Sequence, residues 1–280
     1  MAALLSTALT SATLAAGVAI GATVAIEKFG GRLGGLLATL PTTVVPASYG
    51  FAMLATQETD LAQSLGAVPL GMLVNVGFLA CWRYVPHRLP AWPLRNRLAV
   101  MTLVSLTGWA LGALLSLFIL EHPRLAQHPL TAGACFTLIQ VLVGTYACLQ
   151  PLPAPTGSRP VPVLVLMGRG LLAGAAIAMS VVLAQTGGMV LGGLASVFPA
   201  IFLTTMISLW VAQGEAVPAG AVGPMMLGSA SVSAYALLAA MMIPRLGFGA
   251  GAAVAWTSAV LVTSVPAWQF LRYRQLHHHA

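Results

Sequence analysis

The chain has 280 residues, of which 59% are hydrophobic and only 6% are charged, and its formal net charge is +7. A soluble domain carries roughly 25% charged residues, so most of this surface is predicted to face lipid. The basic residues lie in short loops between apolar segments, a pattern typical of membrane topology that argues against a nucleic-acid-binding face.

Apolar windows long enough to cross a bilayer follow one another along the whole chain. A spanning helix needs about 20 apolar residues. Nine windows qualify, separated by breaks rich in Gly, Pro and charges: 4–26, 33–55, 62–82, 98–120, 131–150, 161–184, 189–212, 219–243 and 249–271. The predicted fold is therefore an all-α polytopic membrane protein with about nine transmembrane helices, which we number as predicted helices one to nine.

Two parts of the chain repeat each other. Residues 33–41 (LGGLLATLP) and 191–199 (LGGLASVFP) share their first four residues and a closing proline, 158 positions apart. Glu58 recurs as Glu215, the Gly-Ala-Val of 66–68 recurs at 220–222, and Leu14-Ala15 recurs as Leu172-Ala173. Predicted helices one to four thus repeat as helices six to nine, with helix five as a connector. The predicted units are residues 1–125, a connector at 126–158, and residues 159–280.

The number of helices predicts that the two copies have opposite orientations, and charge counting supports this. Five helices, an odd number, separate equivalent positions. Of the 12 basic residues, nine fall on one side, Arg124 and Arg245 fall on the other, and Arg169 lies inside a helix. The positive-inside rule then predicts an integral protein of the plasma (inner) membrane, with its N-terminus outside and its C-terminus in the cytoplasm. Inverted repeats with proline-broken helices are typical of secondary transporters.

Polar side chains at mid-depth are costly in lipid and are therefore candidate functional groups. Asn75 lies near the centre of helix three, where the repeat aligns it with Ser229, and Gln140 lies in the middle of helix five. The alternative is that such groups only join neighbouring helices or bond to nearby carbonyls. The candidate substrate-binding residues are Thr42, Thr43, Asn75, Gln140, Arg169, Thr204, Thr205 and Ser229.

Arg169 is predicted to lie about 12 Å along helix six, where an arginine costs about 2.5–3.5 kcal/mol at the membrane centre. Its flanking glycines, Gly168 and Gly170, leave room for an anionic substrate group. The alternative is that the long side chain reaches the cytoplasmic face.

Prolines and glutamates mark candidate hinges. Pro41 recurs as Pro199, and each is predicted to remove a hydrogen bond inside a helix, leaving either a simple kink or a carbonyl that lines a cavity. Glu58 and Glu215 close predicted helices two and seven on opposite faces. They are candidates for gating or ion coupling, or they cap the next helix.

The sequence predicts no enzyme, cofactor or metal site. No HExxH, GxSxG or P-loop pattern is present, and the three cysteines form no metal-binding pair. The expected partners are a small-molecule substrate and membrane lipids, without nucleic acid.

A resemblance to a known family rests on residues 191–227. An apolar helix with an internal proline ends at Gly214-Glu215, and a helix led by Gly220-Ala221 follows. This resembles the closing part of each repeat in the drug/metabolite transporter superfamily, although the first copy has Gln57-Glu58 in place of Gly-Glu. The usual member has ten helices in two inverted five-helix repeats, so the resemblance implies that this chain lacks the first helix.

The resemblance also implies a central cavity lined by predicted helices two, three, five, seven and eight. The missing first helix would leave this cavity partly open, which suggests either homodimerisation or an atypical mechanism. The sequence thus predicts a secondary transporter of a small organic metabolite, working by alternating access. The alternatives are a passive channel or facilitator, and a non-transporting scaffold subunit.

Overall fold

The computed structural model describes residues 2–29, 40–150, 163–214 and 216–277. Within these ranges the chain is helical apart from short turns and contains no β-strand. The helices are α1 Ala2–Phe29, α2 Val44–Leu54, α3 Glu58–Tyr84, α4 Leu94–Leu120, α5 Pro123–Gln127, α6 Pro129–Leu149, α7 Val163–Gly187, α8 Met189–Ala195, α9 Ala200–Gln213, α10 Ala216–Gly228, α11 Ala230–Ala259 and α12 Val265–His277. A 3₁₀ turn at Pro86–Arg88 precedes α4, and a π-helical turn at Val260–Ser264 joins α11 to α12.

Seven helices in the described part of the chain are long and apolar enough to cross a membrane. This confirms the prediction of an all-helical protein with the architecture of a polytopic membrane protein. The longest apolar stretch, Val217–Arg274, has 58 residues. At 1.5 Å per residue it would be about 87 Å long as one straight helix, almost three times the hydrocarbon thickness of about 30 Å.

The 58-residue stretch is divided by a reversal at Gly247. Gly247 has φ 75° and ψ 166°, a conformation that only glycine adopts readily. A methyl group built on Gly251 would lie 2.6 Å from the Cα of Ile243, although the two residues are eight positions apart. The chain therefore folds back on itself here, in the gap between predicted helices eight and nine.

The repeated prolines do not lie inside helices as the sequence predicted. Pro41 lies before α2, which begins at Val44, and Pro199 immediately precedes α9. Predicted helix seven is consequently two helices, α8 and α9, separated by residues 196–199. Proline lacks the N–H that would continue the helix and disfavours helical geometry in the residue before it, so the backbone breaks instead of bending.

Helices α1 and α7 pack closely in antiparallel orientation. A methyl group built on Gly170 would lie 3.3 Å from the carbonyl oxygen of Ala16, and one on Gly174 would lie 2.9 Å from that of Ala12. The numbering rises along one helix as it falls along the other, which makes the pair antiparallel. Small residues allow this approach, as is usual for helix pairs in lipid.

Two arginines hold the end of α6. Arg83 of α3 donates to the carbonyl oxygens of Ala147, at 2.9 Å, and of Gln150. Arg274 of α12 donates to the carbonyl of Leu149 at 3.0 Å. The last carbonyls of a helix lack partners within it and carry partial negative charge, so these cations stabilise the helix end. Part of the basic charge counted for topology therefore also joins α3, α6 and α12.

Candidate functional site

The break between α8 and α9 is held by one buried side chain. Within it, the carbonyl oxygen of Val197 accepts a hydrogen bond of 2.8 Å from Nδ2 of Asn75. Asn75 is 2% exposed and lies one turn beyond Gly71 on the same face of α3. A methyl group built on Gly71 would clash with the Val197 side chain. Glycine at position 71 thus lets α3 approach the break closely enough for Asn75 to reach it.

Only one half of the Asn75 carboxamide is satisfied. Nδ2 donates to Val197 and lies 3.5 Å from Sδ of Met72. Oδ1 has no hydrogen-bond partner among the described residues. A buried polar atom left without a partner costs about 1–3 kcal/mol. Because a carbonyl oxygen only accepts, the bond to Val197 also decides which end of the amide faces the break.

Trp109 of α4 borders the next residue of the same break. Its ring meets Phe198 edge to face, with 5.1 Å between ring centroids. The indole Nε1 of Trp109 is buried and, within the described part of the chain, has no acceptor. Two consecutive residues of the break, Val197 and Phe198, are therefore flanked by one unpartnered acceptor and one unpartnered donor.

Gln140 and Ser229, two of the candidate residues, are in direct contact. Gln140 is fully buried; its Nε2 donates to Ser229 Oγ at 2.9 Å, and its Oε1 accepts from Ser233 Oγ at 2.6 Å. Ser229 also donates to the carbonyl of Met226. This polar cluster joins α6 to the junction of α10 and α11. Unlike Asn75, Gln140 has a partner at both ends of its amide.

The threonine candidates lie just before α2 or in the first turns of α9. Thr204 Oγ1 bonds to the carbonyls of Ala200 and Ile201, at 2.9 and 3.1 Å, in the first turns of α9. This is the local bonding that the sequence left open as an alternative. Thr205 is half-buried on the same helix, and Thr42 and Thr43 are half-buried before α2.

Arg169 is 9% exposed and packs towards α9, where its Nη2 lies 3.4 Å from Oγ of Ser208. Ser208 is nine residues beyond Pro199, or about 13 Å along α9. Arg169 therefore contacts α9 further along its length, whereas Asn75 contacts the break that precedes α9. The buried side chains that carry a charge at neutral pH are, among the described residues, Arg83 and Arg169, and no Asp or Glu is buried there.

Of the repeated acids, Glu58 is exposed in the first turn of α3, a favourable position for a carboxylate. The cap itself comes from Asp60, whose Oδ2 accepts from the backbone N–H groups of Thr56 and Gln57. The apolar windows predict a loop at Asp60, whereas it lies in the first turn of the helix. Glu215 falls outside the described residues.

Two buried contacts between helices were not predicted from the sequence. The rings of Trp82 in α3 and Trp210 in α9 meet edge to face at 5.8 Å, both fully buried. Ser48 in α2 and Tyr235 in α11 share a buried hydrogen bond of 2.8 Å. Tryptophan near a predicted helix end is typical of the membrane interface, so there was no reason from the sequence to expect the buried Trp82–Trp210 contact. The repeat offers a signal, because it makes a contact between predicted helices three and seven equivalent to a contact between helices eight and two.

Other parts of the described surface add no chemistry. A concavity of about 310 Å³ lies between the starts of α3 and α6, lined mainly by exposed residues that include Gln127 and His128, and none of the candidate residues borders it. No group of three His, Cys, Asp or Glu side chains within the described residues could hold a metal ion.

Comparison of the chain with protein-family models, with curated proteins and with solved structures finds no match.

Proposed function

We propose that the protein is a secondary transporter that moves a small organic solute across the membrane by alternating access of two inverted repeats. The observation that carries this proposal is the interrupted helix α8–α9, whose Val197 carbonyl is held by the buried Asn75. Irregular backbone at membrane depth is tolerated where it is buried in protein or lines a cavity. Interrupted helices at the interface between repeats are where transporters place their solute sites.

The packing of α1 on α7 supports the two-repeat part of the proposal. The offset of 158 makes Ala12 equivalent to Gly170 and Ala16 equivalent to Gly174. The contact between 16 and 170 thus corresponds to the contact between 174 and 12, and both occur. Reciprocal contacts of this kind arise at a two-fold axis. The antiparallel orientation of the pair is what inversion requires.

The surroundings of Arg169 support the same relation. Its equivalent in the first copy is Ser11, and the equivalent of Ser208 is Gly50. Arg169 contacts Ser208, and a methyl group built on Gly50 would lie 2.8 Å from Ser11 Oγ. Equivalent positions therefore meet in both copies, as Ser11 and Gly50 in the first and as the larger Arg169 and Ser208 in the second. We propose that Arg169 serves this helix contact, and binding of an anionic solute group there stays a prediction.

The proposed gates are the Trp82–Trp210 and Ser48–Tyr235 contacts between helices. From the Gly-Ala-Val match of 66–68 with 220–222 onward the offset is 154. Residues 82 and 210, which meet as tryptophans, therefore have the equivalents Ala236 and Ala52. Ser48 and Tyr235 have the equivalents Met206 and Cys81, which belong to or pack on the cluster around Trp82. In the predicted topology Trp82–Trp210 closes the cytoplasmic end and Ser48–Tyr235 the outer end. Both contacts are buried, which is what closed gates would require.

Nine spans, with the C-terminus in the cytoplasm, complete the proposal. The seven long apolar helices become eight when the reversal at Gly247 divides the last one, and α2 belongs to the ninth. A passive facilitator is the second candidate. The lack of buried Asp or Glu among the described residues favours it, because common proton relays use such groups.

Flux in proteoliposomes tests these functions. The purified protein would be reconstituted and challenged with radiolabelled amino acids, sugars, polyols, amides and nucleosides. Saturable flux that is accelerated by solute on the opposite side supports a transporter. Linear flux supports a channel, and no flux with any of these solutes supports a scaffold. Asn75→Leu should abolish flux, whereas Thr257→Val, which removes an exposed hydroxyl bonded only within its own helix, should not.

A further inference from the structure

The unpartnered groups at the helix break indicate which chemical class of solute it accepts. Asn75 Oδ1 requires a donor, because the other end of the amide is committed to Val197. Trp109 Nε1 requires an acceptor and lies against the adjoining residue, Phe198. Neither group has a hydrogen-bond partner within the described residues. A solute that satisfies both must donate one hydrogen bond and accept another.

The polarity of the site distinguishes among solute charges. A carboxylate or phosphate is only an acceptor, and the Oδ1 of Asn75 would repel it. A quaternary ammonium group has no donor to offer. A hydroxyl group both donates and accepts, and so does an amide with a free N–H.

The side chains around the break favour a compact solute with some apolar surface. Met72 lies beside Asn75, and the rings of Phe198 and Trp109 meet at the break. Met and aromatic side chains pack against apolar bodies, while a few placed polar groups fix orientation.

We propose that the α8–α9 break is the binding site for a small uncharged solute bearing a hydroxyl or amide group, which donates to Asn75 Oδ1 and accepts from Trp109 Nε1. This inference rests on the transport function proposed above and specifies its substrate class. It differs from the prediction of an anionic solute at Arg169, which contacts α9 at another level.

Gln140 provides an internal comparison for Asn75. It is the other buried carboxamide among the described residues, and both ends of its amide are satisfied by serine hydroxyls. A solute would have to displace those bonds to reach Gln140, whereas the acceptor of Asn75 is unoccupied by protein. The structure therefore favours Asn75 as the solute contact and Gln140 as a link between helices.

Ligand-induced stabilisation of the intact protein in detergent tests the inference with simple probe molecules. A ligand that binds the folded state raises the melting temperature, by an amount that grows with its concentration relative to Kd. The probes would be propionamide and glycerol, each compared with its fully methylated counterpart, N,N-dimethylpropionamide and 1,2,3-trimethoxypropane. Propionate would serve as the anionic probe.

We expect propionamide or glycerol to raise the melting temperature, and the methylated and anionic probes to leave it unchanged. Asn75→Leu should abolish the shift, and Trp109→Phe should weaken apparent binding about tenfold, since one hydrogen bond contributes on that order. Thr257→Val should bind as the wild type does. Should Asn75→Leu fail to fold, Trp109→Phe, which keeps an aromatic ring, carries the test.

Equal shifts from the methylated probes, stronger binding of propionate, no shift with any probe, or unchanged binding in Trp109→Phe would each overturn the proposed substrate class. Failure here is distinguishable from failure of the transport proposal. Saturable flux of another solute class without these shifts would leave a transporter with a different substrate. The expected shifts without any flux would leave a solute-binding protein that does not transport.

Discussion

Replacement of Trp210 tests whether the Trp82–Trp210 contact closes one end of the protein. Both rings are fully buried and meet edge to face at 5.8 Å. Truncation of a buried tryptophan to alanine costs about 3–5 kcal/mol where the ring is packed, and an aromatic pair adds about 0.5–1.5 kcal/mol beyond its buried area. If opening exposes the ring, Trp210→Ala destabilises only the closed state.

The magnitude follows from the lower of these values. A loss of about 3 kcal/mol, at about 1.4 kcal/mol per factor of ten, shifts the ratio of open to closed protein by roughly a hundredfold. Trp210→Phe keeps an aromatic ring but removes an indole N–H that has no acceptor among the described residues. The lost volume destabilises the closed state, whereas removal of the unpartnered N–H stabilises it. We therefore expect the ratio of open to closed protein in this variant to stay within about threefold of the wild type.

Cys81 is a natural reporter of this gate. It is partly buried and packs on the cluster that contains both tryptophans. In a Cys135→Ala, Cys148→Ala background it would be labelled in inside-out vesicles with a membrane-impermeant methanethiosulfonate. The labelling rate should rise strongly in Trp210→Ala. Its upper limit is the rate at which a fully accessible Cys81 thiol reacts.

Val211→Ala is the matched control, because Val211 is the next residue of α9 and is 66% exposed. It should leave the labelling rate of Cys81 unchanged. The gate assignment is wrong if Trp210→Ala, folded and stable in the membrane, labels no faster than Val211→Ala. It is also wrong if Trp210→Phe opens the site as much as alanine does.

Three further predictions test the outer contact, the packing of the break and the topology. Tyr235→Phe removes the buried hydrogen bond to Ser48. A reagent added outside should then label a cysteine placed in the outer half of α2 faster, while Cys81 stays protected. Equal labelling from both sides would contradict separate gates. Gly193→Ala should lower the melting temperature by several degrees or prevent folding, because a methyl group there would clash with the carbonyl oxygen of Ser64, whereas Gly77→Ala, with open space around it, should be neutral. A reporter enzyme fused to the C-terminus should be active only in the cytoplasm, and an external signal would refute the predicted orientation.

Membrane-spanning character could be predicted from the sequence because it depends on composition and length. The apolar windows anticipated the long helices, and the Gly-rich gap near residue 247 anticipated the reversal between the last two. The sequence also singled out Asn75 and Gln140, since amide groups in apolar helices are costly wherever they face.

The partners of those groups depended on tertiary structure. Whether an amide is satisfied depends on which backbone or side chain lies opposite, and Asn75 meets Val197, 122 positions away along the chain. The same applies to Arg169, whose contact with Ser208 joins two helices. The aromatic contact between Trp82 and Trp210 lay beyond local patterns for the same reason.

By itself, then, the amino-acid sequence determined that this chain forms long apolar helices and roughly where most of them lie, and it contains matching segments at 33–41 and 191–199. These properties follow from local hydrophobicity and from glycine and proline, which act on their own stretch of backbone. The tertiary structure alone decided that the repeated prolines precede helices instead of lying inside them, and that a buried amide holds the Val197 carbonyl in the break. A freed backbone group is tolerated in an apolar interior only where a neighbouring helix supplies its partner, and that neighbour is chosen by packing.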